Sequence, residues 1–342
     1  MRRMKKQMLC MMVVLGFLKA GAQDINFSQF YELPLLRNPA LAGQFRGDFR
    51  AAAAYRNQWG SVTTPYKTMA LGAEMRFGMG GSENYLTVGT QVTNDVAGDS
   101  KLSRTQLLPS VTFHKSLNAD KDAYLSAGFI GGFVQQRYDA TALTFSDQFV
   151  NGAYSSTNPT RQRLPSSNVT YMDAGAGIAY SSTMGYDVRY YVGAAVYHFN
   201  QPRVAFDAAN DVRLNQKIFV NAGLSAPVAD RNRLVLYGDF FMQGGHHQAQ
   251  GGVLYRHFMV EEDDDYGVSF SFGGFYRWND AVVPVVKLDY NKLSIGLTYD
   301  VNVSKLVKAS QMRGGFELTL SYSSFMNIKN SSSQKVRCPV AF

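Results

Sequence analysis

The sequence predicts an all-β protein: an outer-membrane β-barrel of about fourteen antiparallel strands with a short N-terminal plug or cap segment. Apolar and polar residues alternate with period two in segment after segment. Charged residues make up only 18% of the chain while aromatics reach 13%, with 20 Tyr, 23 Phe and 31 Gly. Beyond the N-terminus, no run approaches the ~18 consecutive apolar residues that a membrane helix needs. The low charge and high aromatic content exclude a disordered chain. The composition is also far from the Ala, Glu, Lys, Leu and Arg mixture of a coiled coil.

Taken in order, residues 1–22 read as a secretory signal peptide. Arg2, Arg3, Lys5 and Lys6 form its basic start, 8–18 its apolar stretch, and Ala20-Gly21-Ala22 its small-residue cleavage site. The apolar stretch is too short to span a bilayer. With Lys19, this segment holds five of the basic residues and no acids, so its removal lowers the net charge from +8 to +3. That weakens any case for a nucleic-acid partner, which needs clustered Lys and Arg. Cys10 leaves with the signal, and Cys338 alone makes no internal disulfide.

Residues 23–47 precede the first strand as the plug or cap segment, with Pro34 and Pro39. Within 48–325 the alternation marks strands near 48–58, 66–78, 84–94, 105–115, 122–137, 171–181 and 187–198. Further strands follow near 217–226, 232–242, 248–258, 266–277, 281–289, 292–303 and 313–323. In one of them Leu293, Ile295, Leu297, Tyr299 and Val301 face one way and Ser294, Gly296, Thr298 and Asp300 the other. In another Phe316, Leu318, Leu320 and Tyr322 oppose Glu317, Thr319 and Ser321. A soluble sandwich would carry Lys, Glu and Thr on its wet face. Here the second face is mainly Ser, Thr, Gly, Gln and Asn, as expected of a lumen behind a lipid-facing wall. Arg313-Gly314-Gly315-Phe316-Glu317-Leu318-Thr319-Leu320 looks like a barrel assembly signal, and 326–342 reads as a polar C-terminal tail without regular structure.

Catalytic signatures do not occur. There is no His-Glu-x-x-His, Cys-x-x-Cys or Gly-x-Ser-x-Gly. His246-His247 and His257 lie on strands whose adjacent residues point to opposite faces. Glu261-Glu262-Asp263-Asp264-Asp265 lacks calcium-loop spacing and reads as a solvated hairpin turn. Gly128-Phe129-Ile130-Gly131-Gly132 falls inside a strand, without the helix a phosphate loop requires. Asp173, Asp187 and Asp239 sit on alternating segments as lumen charges. The expectation is a non-enzyme with no catalytic, metal or cofactor-binding residue and no cofactor.

Less generic stretches carry a family resemblance. Gln23-Asp24-Ile25-Asn26-Phe27-Ser28-Gln29-Phe30-Tyr31 is followed by Asn38-Pro39-Ala40-Leu41-Ala42-Gly43 and Tyr55-Arg56-Asn57-Gln58-Trp59. Leu143-Thr144-Phe145-Ser146-Asp147-Gln148-Phe149, His198-Phe199-Asn200-Gln201-Pro202 and Tyr276-Arg277-Trp278-Asn279-Asp280-Ala281 come later. Together, in this order, they resemble the PorP/SprF family of type IX secretion system membrane proteins over nearly the whole mature chain. Phe30 stands where Tyr is commoner, and the tail after Tyr322 is the clearest departure.

The resemblance implies an outer-membrane component that assists export or surface anchoring of large proteins with a type B C-terminal domain, such as adhesins, with a gliding-motility role in some members. It implies as partners those secreted proteins, other type IX secretion components of the periplasmic ring or peptidoglycan-linking kind, and outer-membrane lipid. Its motif positions supply the candidate partner-binding or plug residues: Phe27, Ser28, Gln29, Tyr31, Asn38, Pro39, Arg56, Trp59, Asp147, His198, Arg277 and Asp280. The alternative is a porin-like or lipid-uptake transport barrel, which a strongly charged lumen or an internal apolar pocket would favour. A secreted sandwich adhesin is a third reading.

Overall fold

The computed structural model describes residues 24–60, 64–80, 82–150, 152–162, 164–260, 267–304, 310 and 312–326. The expected signal peptide, both cysteines, the acidic run 261–265 and all of the expected tail except Met326 lie outside the described residues.

Among these residues, fourteen antiparallel strands close into one barrel. They are β1 (Phe49–Gln58), β2 (Tyr66–Gly78), β3 (Tyr85–Ala97), β4 (Leu102–Asn118), β5 (Ala123–Arg137), β8 (Asn168–Met184) and β9 (Val188–Tyr197). The rest are β10 (Lys217–Ala229), β11 (Asn232–Gln243), β12 (His246–Val260), β13 (Val268–Arg277), β14 (Ala281–Tyr290), β15 (Leu293–Asn302) and β16 (Arg313–Ser324). The first and last strands pair from Phe49↔Ser324 to Gln58↔Gly315 and seal the sheet. All fourteen sequence-predicted strands are present, β4 and β8 running three residues further at each end than their alternation alone indicated. A two-stranded hairpin, β6 (Phe149–Val150) and β7 (Ala153–Tyr154), is extra. It lies in the connection between β5 and β8, and strands of two residues leave no alternation to read.

The alternation resolves as the pleat demands. Leu71, Phe133 and Ile178 point outward and are close to 60% exposed in the isolated chain, whereas Thr87, Thr112, Ser271 and Glu317 point inward and are almost fully buried. Two of the wall prolines, Pro109 and Pro284, interrupt the ladder, because proline has no N–H to donate. Pairing of β4 with β5 skips from Leu107↔Phe133 to Ser110↔Ile130 around Pro109. Pairing of β14 with β15 skips from Val282↔Val301 to Val285↔Thr298 around Pro284.

The two ends of the barrel differ. Connections 119–122, 185–187, 230–231 and 291–292 are short and lie at the end where β1 begins and β16 finishes. Connections 138–167 and 198–216 lie at the opposite end. The core is a chain segment inside the barrel: Phe27, Phe30, Leu33, Leu35, Ala40, Leu41 and Ala42 are all buried, packed against inward-facing side chains of the wall.

Candidate functional site

The N-terminal segment passes through the lumen from the long-loop end to the short-turn end as three 3-10 turns, Phe30–Glu32, Pro34–Leu36 and Pro39–Leu41. Prolines at the starts of the second and third turns preset the backbone where no donor is needed. Turns this short leave polar groups over, and a buried unpaired group is costly. Those groups find their partners on the barrel wall.

The first contact is at the long-loop end. Asp24 pairs with Arg104, with His198 Nε2 at 3.0 Å and with Lys217 Nζ at 3.6 Å. His198 Nδ1 meets Asp173 at 2.8 Å. Burial opposes charge on both Asp24 and His198, but the facing charges win. Arg104, His198 and Lys217 hold the Asp24 carboxyl well below its usual range, and Asp24 with Asp173 pushes His198 up to about 9. The flanking Arg104 and Lys217 make this trio a poor cradle for a metal cation.

One turn further in lies a four-residue hub drawn from β1, β13, β15 and β16. Asp300 accepts from Arg56 Nη2 at 2.6 Å, Arg277 Nη2 at 2.5 Å and Ser28 Oγ at 2.6 Å. Glu317 accepts the consecutive backbone N–H groups of Ser28 and Gln29 at 2.8 and 2.7 Å. Thr319 Oγ1 donates to Gln29 Oε1 at 2.8 Å. Arg277 is held from outside by Asp280 at 2.5 Å. Asp300 sits at a register shift in the β15–β16 ladder, the kind of bulge that re-aims a side chain.

Deeper in the barrel, Tyr31 stacks on Tyr237 with ring centroids 4.9 Å apart, and Phe30 meets Phe275 edge-on at 5.2 Å. Glu32 receives Arg50 Nη2 at 2.8 Å and Lys287 Nζ at 2.6 Å. Arg37 grips Asp239 with two nitrogens, Nε at 2.8 Å, and donates to Tyr191 Oη at 3.0 Å. Asn38 caps the third turn by accepting from Ala40 N at 2.9 Å, while its amide donates to Ile178 O and Ala194 O on β8 and β9. Thr112 Oγ1 donates to Pro39 O at 2.7 Å. Gly128 and Gly177 make this approach feasible. A Cβ on Gly128 would lie 2.5 Å from the Pro39 carbonyl carbon, and one on Gly177 would lie 2.0 Å from Asn38 Oδ1.

Of the twelve candidate residues, Phe27, Ser28, Gln29, Tyr31, Asn38 and Pro39 belong to the lumen segment, and Arg56, Arg277, Asp280 and His198 grip it or brace its partners. Trp59 and Asp147 stand apart. Trp59 ends β1, donating its N–H to Gly314 O at 2.8 Å with its ring edge-on to Tyr66. Asp147 organises the long β5–β8 connection, accepting from Arg161 N at 2.6 Å. The acceptors Asp300, Glu317 and Asp239 and the cations Arg37, Arg50, Arg104, Lys217 and Lys287 were missing from the sequence-derived set. Arg37 lies on the lumen segment itself; the signal of the others was present as isolated charges on the polar face of alternating strands.

Below the segment, Tyr31, Glu32, Pro34 and Arg37 form the floor of a cavity of about 850 Å³, with Asp122, Asp187, Asp230 and Lys292 from the short turns around its mouth.

The family model for the type IX secretion system membrane protein PorP/SprF matches residues 19–322. No curated protein matches the chain. Among solved structures, a Pseudomonas aeruginosa FadL homologue shares 11% identity over 84% of this chain and 92% of its own, with a TM-score of 0.48. The CymD monoaromatic hydrocarbon channel shares 12% over 90% and 95%, with a TM-score of 0.44. BamA from Haemophilus ducreyi lacking POTRA domains 1-3 shares 8% over 81% and 70%, with a TM-score of 0.40.

Proposed function

The chain belongs to the PorP/SprF family of type IX secretion system membrane proteins, and from that membership we propose that it is a plugged docking platform, not an open pore. It is an outer-membrane β-barrel of that secretion system. In the proposed role it assists export or surface anchoring of large proteins that carry a type B C-terminal domain, adhesins among them, without itself performing catalysis. Where the cargo is a motility adhesin, the same platform serves gliding. Outer-membrane barrels keep short turns in the periplasm and long loops outside. Cargo therefore meets the 138–167 and 198–216 connections, and periplasmic secretion components meet the short turns.

The observation that carries this reading is the filled lumen. A barrel passing cargo through its own interior would first have to expel residues 27–43. Expulsion would strip Ser28 and Gln29 from Asp300 and Glu317, and Arg37 from Asp239. Breaking a buried ion pair from one side costs roughly 3–5 kcal/mol.

Two measurements test the proposal. Deleting residues 24–40 should open the barrel and raise its conductance in a planar bilayer. Unchanged conductance would sink the plug. Deleting the whole gene should remove type B cargo from the cell surface, and undiminished display would sink the export role.

A further inference from the structure

The cavity beneath the plug holds an arrangement that folding alone does not favour. Arg233 on β11 and Arg256 on β12 are direct cross-strand partners, both facing inward. Along the same row Arg256 pairs with Ser271 on β13, and Ser271 with Lys287 on β14. Like charges directly opposite one another destabilise a sheet. Arg233 is braced by the Asp187 carboxylate and carbonyl and by Ser225, and Arg256 by Ser271, yet the row still sets two guanidinium groups side by side with an ammonium beyond them.

The carboxylates nearby are outnumbered. Asp187 is shared by Arg189 Nε at 2.7 Å and by Arg233. Asp289 is shared by Lys287 Nζ at 3.3 Å and Arg256 Nε at 4.0 Å. Among the described lining residues, eight Arg and Lys stand against five Asp and Glu. The cavity of about 850 Å³ lies within the ~300–1,000 Å³ range of ligand-sized clefts. Its floor is the plug, so an occupant enters only from the short-turn side.

We propose that this cup receives a carboxylate-rich, extended segment of a periplasmic partner protein, held by Arg233 and Arg256. The inference rests on the orientation and secretion role given above and adds the chemistry of the contact. Carboxylates of the incoming segment bridge the Arg233–Arg256 pair and relieve its repulsion. The shared Asp187 and Asp289 keep the arginines extended into the cup, so little side-chain freedom is lost on binding.

The test uses the purified full chain in detergent and fluorescein-labelled hexaglutamate, followed by anisotropy. Saturable binding is expected, weakening with added salt and falling roughly tenfold or more in R233Q/R256Q. The charge-retaining R233K/R256K variant should recover most of it, and heat-modifiable mobility confirms that each variant is folded. Three results overturn the proposal: no saturable binding, equal binding by folded R233Q/R256Q, or competition by phosphatidylglycerol micelles but not by unlabelled hexaglutamate, which would assign the cup to lipid headgroups. Binding that emerges only after Glu261 to Asp265 are replaced by Gln and Asn also overturns it, because the chain's own acidic run would then be the occupant.

Cells separate this failure from failure of the secretion role. If gene deletion stops cargo display while R233Q/R256Q restores it fully, the cup proposal falls and the export role stands. If gene deletion leaves display intact, the export role falls first.

Discussion

Gly128 faces the lumen where the Pro39–Ala40 peptide crosses β5, and the absent side chain is what lets the two backbones meet. G128A places a methyl group 2.5 Å from the Pro39 carbonyl carbon, so the third turn has to move. Overpacking of this kind costs about 1–3 kcal/mol, and the unfolding midpoint in detergent should fall accordingly. G80A is the control, since a Cβ on Gly80 meets nothing within 4 Å and the midpoint should not change. His198 gives a second handle at this scale. Its pKa rises from the ordinary 6.5 to about 9 in the folded chain, so its stabilising contribution is complete below pH 6.5 and is lost as pH climbs through 9. The lowered Asp24 works the other way. Its contribution is present above the ordinary 3.8 and is lost as the pH falls further. The N-terminal anchor is therefore strongest between about pH 4 and 6.5. Hydrogen exchange at residues 24–28 should quicken between pH 7 and 10, beyond the intrinsic rate, and H198Q should abolish that excess. An excess that persists in H198Q would assign the dependence to another group.

The barrel wall and its plug illustrate two kinds of legibility among elements. Every barrel strand was readable, because lipid on one side and a polar lumen on the other impose period two on each strand separately. The plug's grip was not readable in the same way. Ser28 and Gln29 stand out only as part of a distinctive phrase, and their acceptors Asp300 and Glu317 lie 272 and 289 residues from Ser28. Which strand closes beside which, and in what register, is a property of the finished sheet. Glu317 between Phe316 and Leu318 reads simply as an inward charge until β16 meets β1. Trp59 and Asp147 belong to equally distinctive phrases yet serve a strand end and a loop, so a memorable motif did not by itself mark the lumen. The plug's own stability hinges on Arg37. R37A leaves Asp239 buried without its cation and should destabilise the protein by about 3–5 kcal/mol, whereas R37M/D239L, which removes both charges, should recover much of that loss. Denaturant unfolding of both variants in detergent measures it. A double variant no better than R37A would show that the pair is favourable in its own right.

For the molecule as a whole, the lumen segment joins a sequence-distant set of strands. Asp24 is tied to β4 and β10, Ser28 to β15 and β16, Arg37 to β11 and Pro39 to β4. The β1–β16 pairing joins opposite ends of the chain, and such long-range closure is intrinsically slow. We expect the Ser28 and Gln29 amides to gain exchange protection in the same kinetic phase as the β1–β16 ladder during refolding into detergent. Protection of that ladder while the two amides still exchange would refute the coupling. The route of the segment explains the expectation. It starts at one mouth of the barrel and leaves by the other, so the finished protein is a ring drawn closed around its own leading thread. A ring that closed empty would have to be threaded afterwards past Arg56, Arg277 and Asp300. A ring that closes around a seated thread meets no such obstacle, so the topology favours a thread already in place when the wall seals.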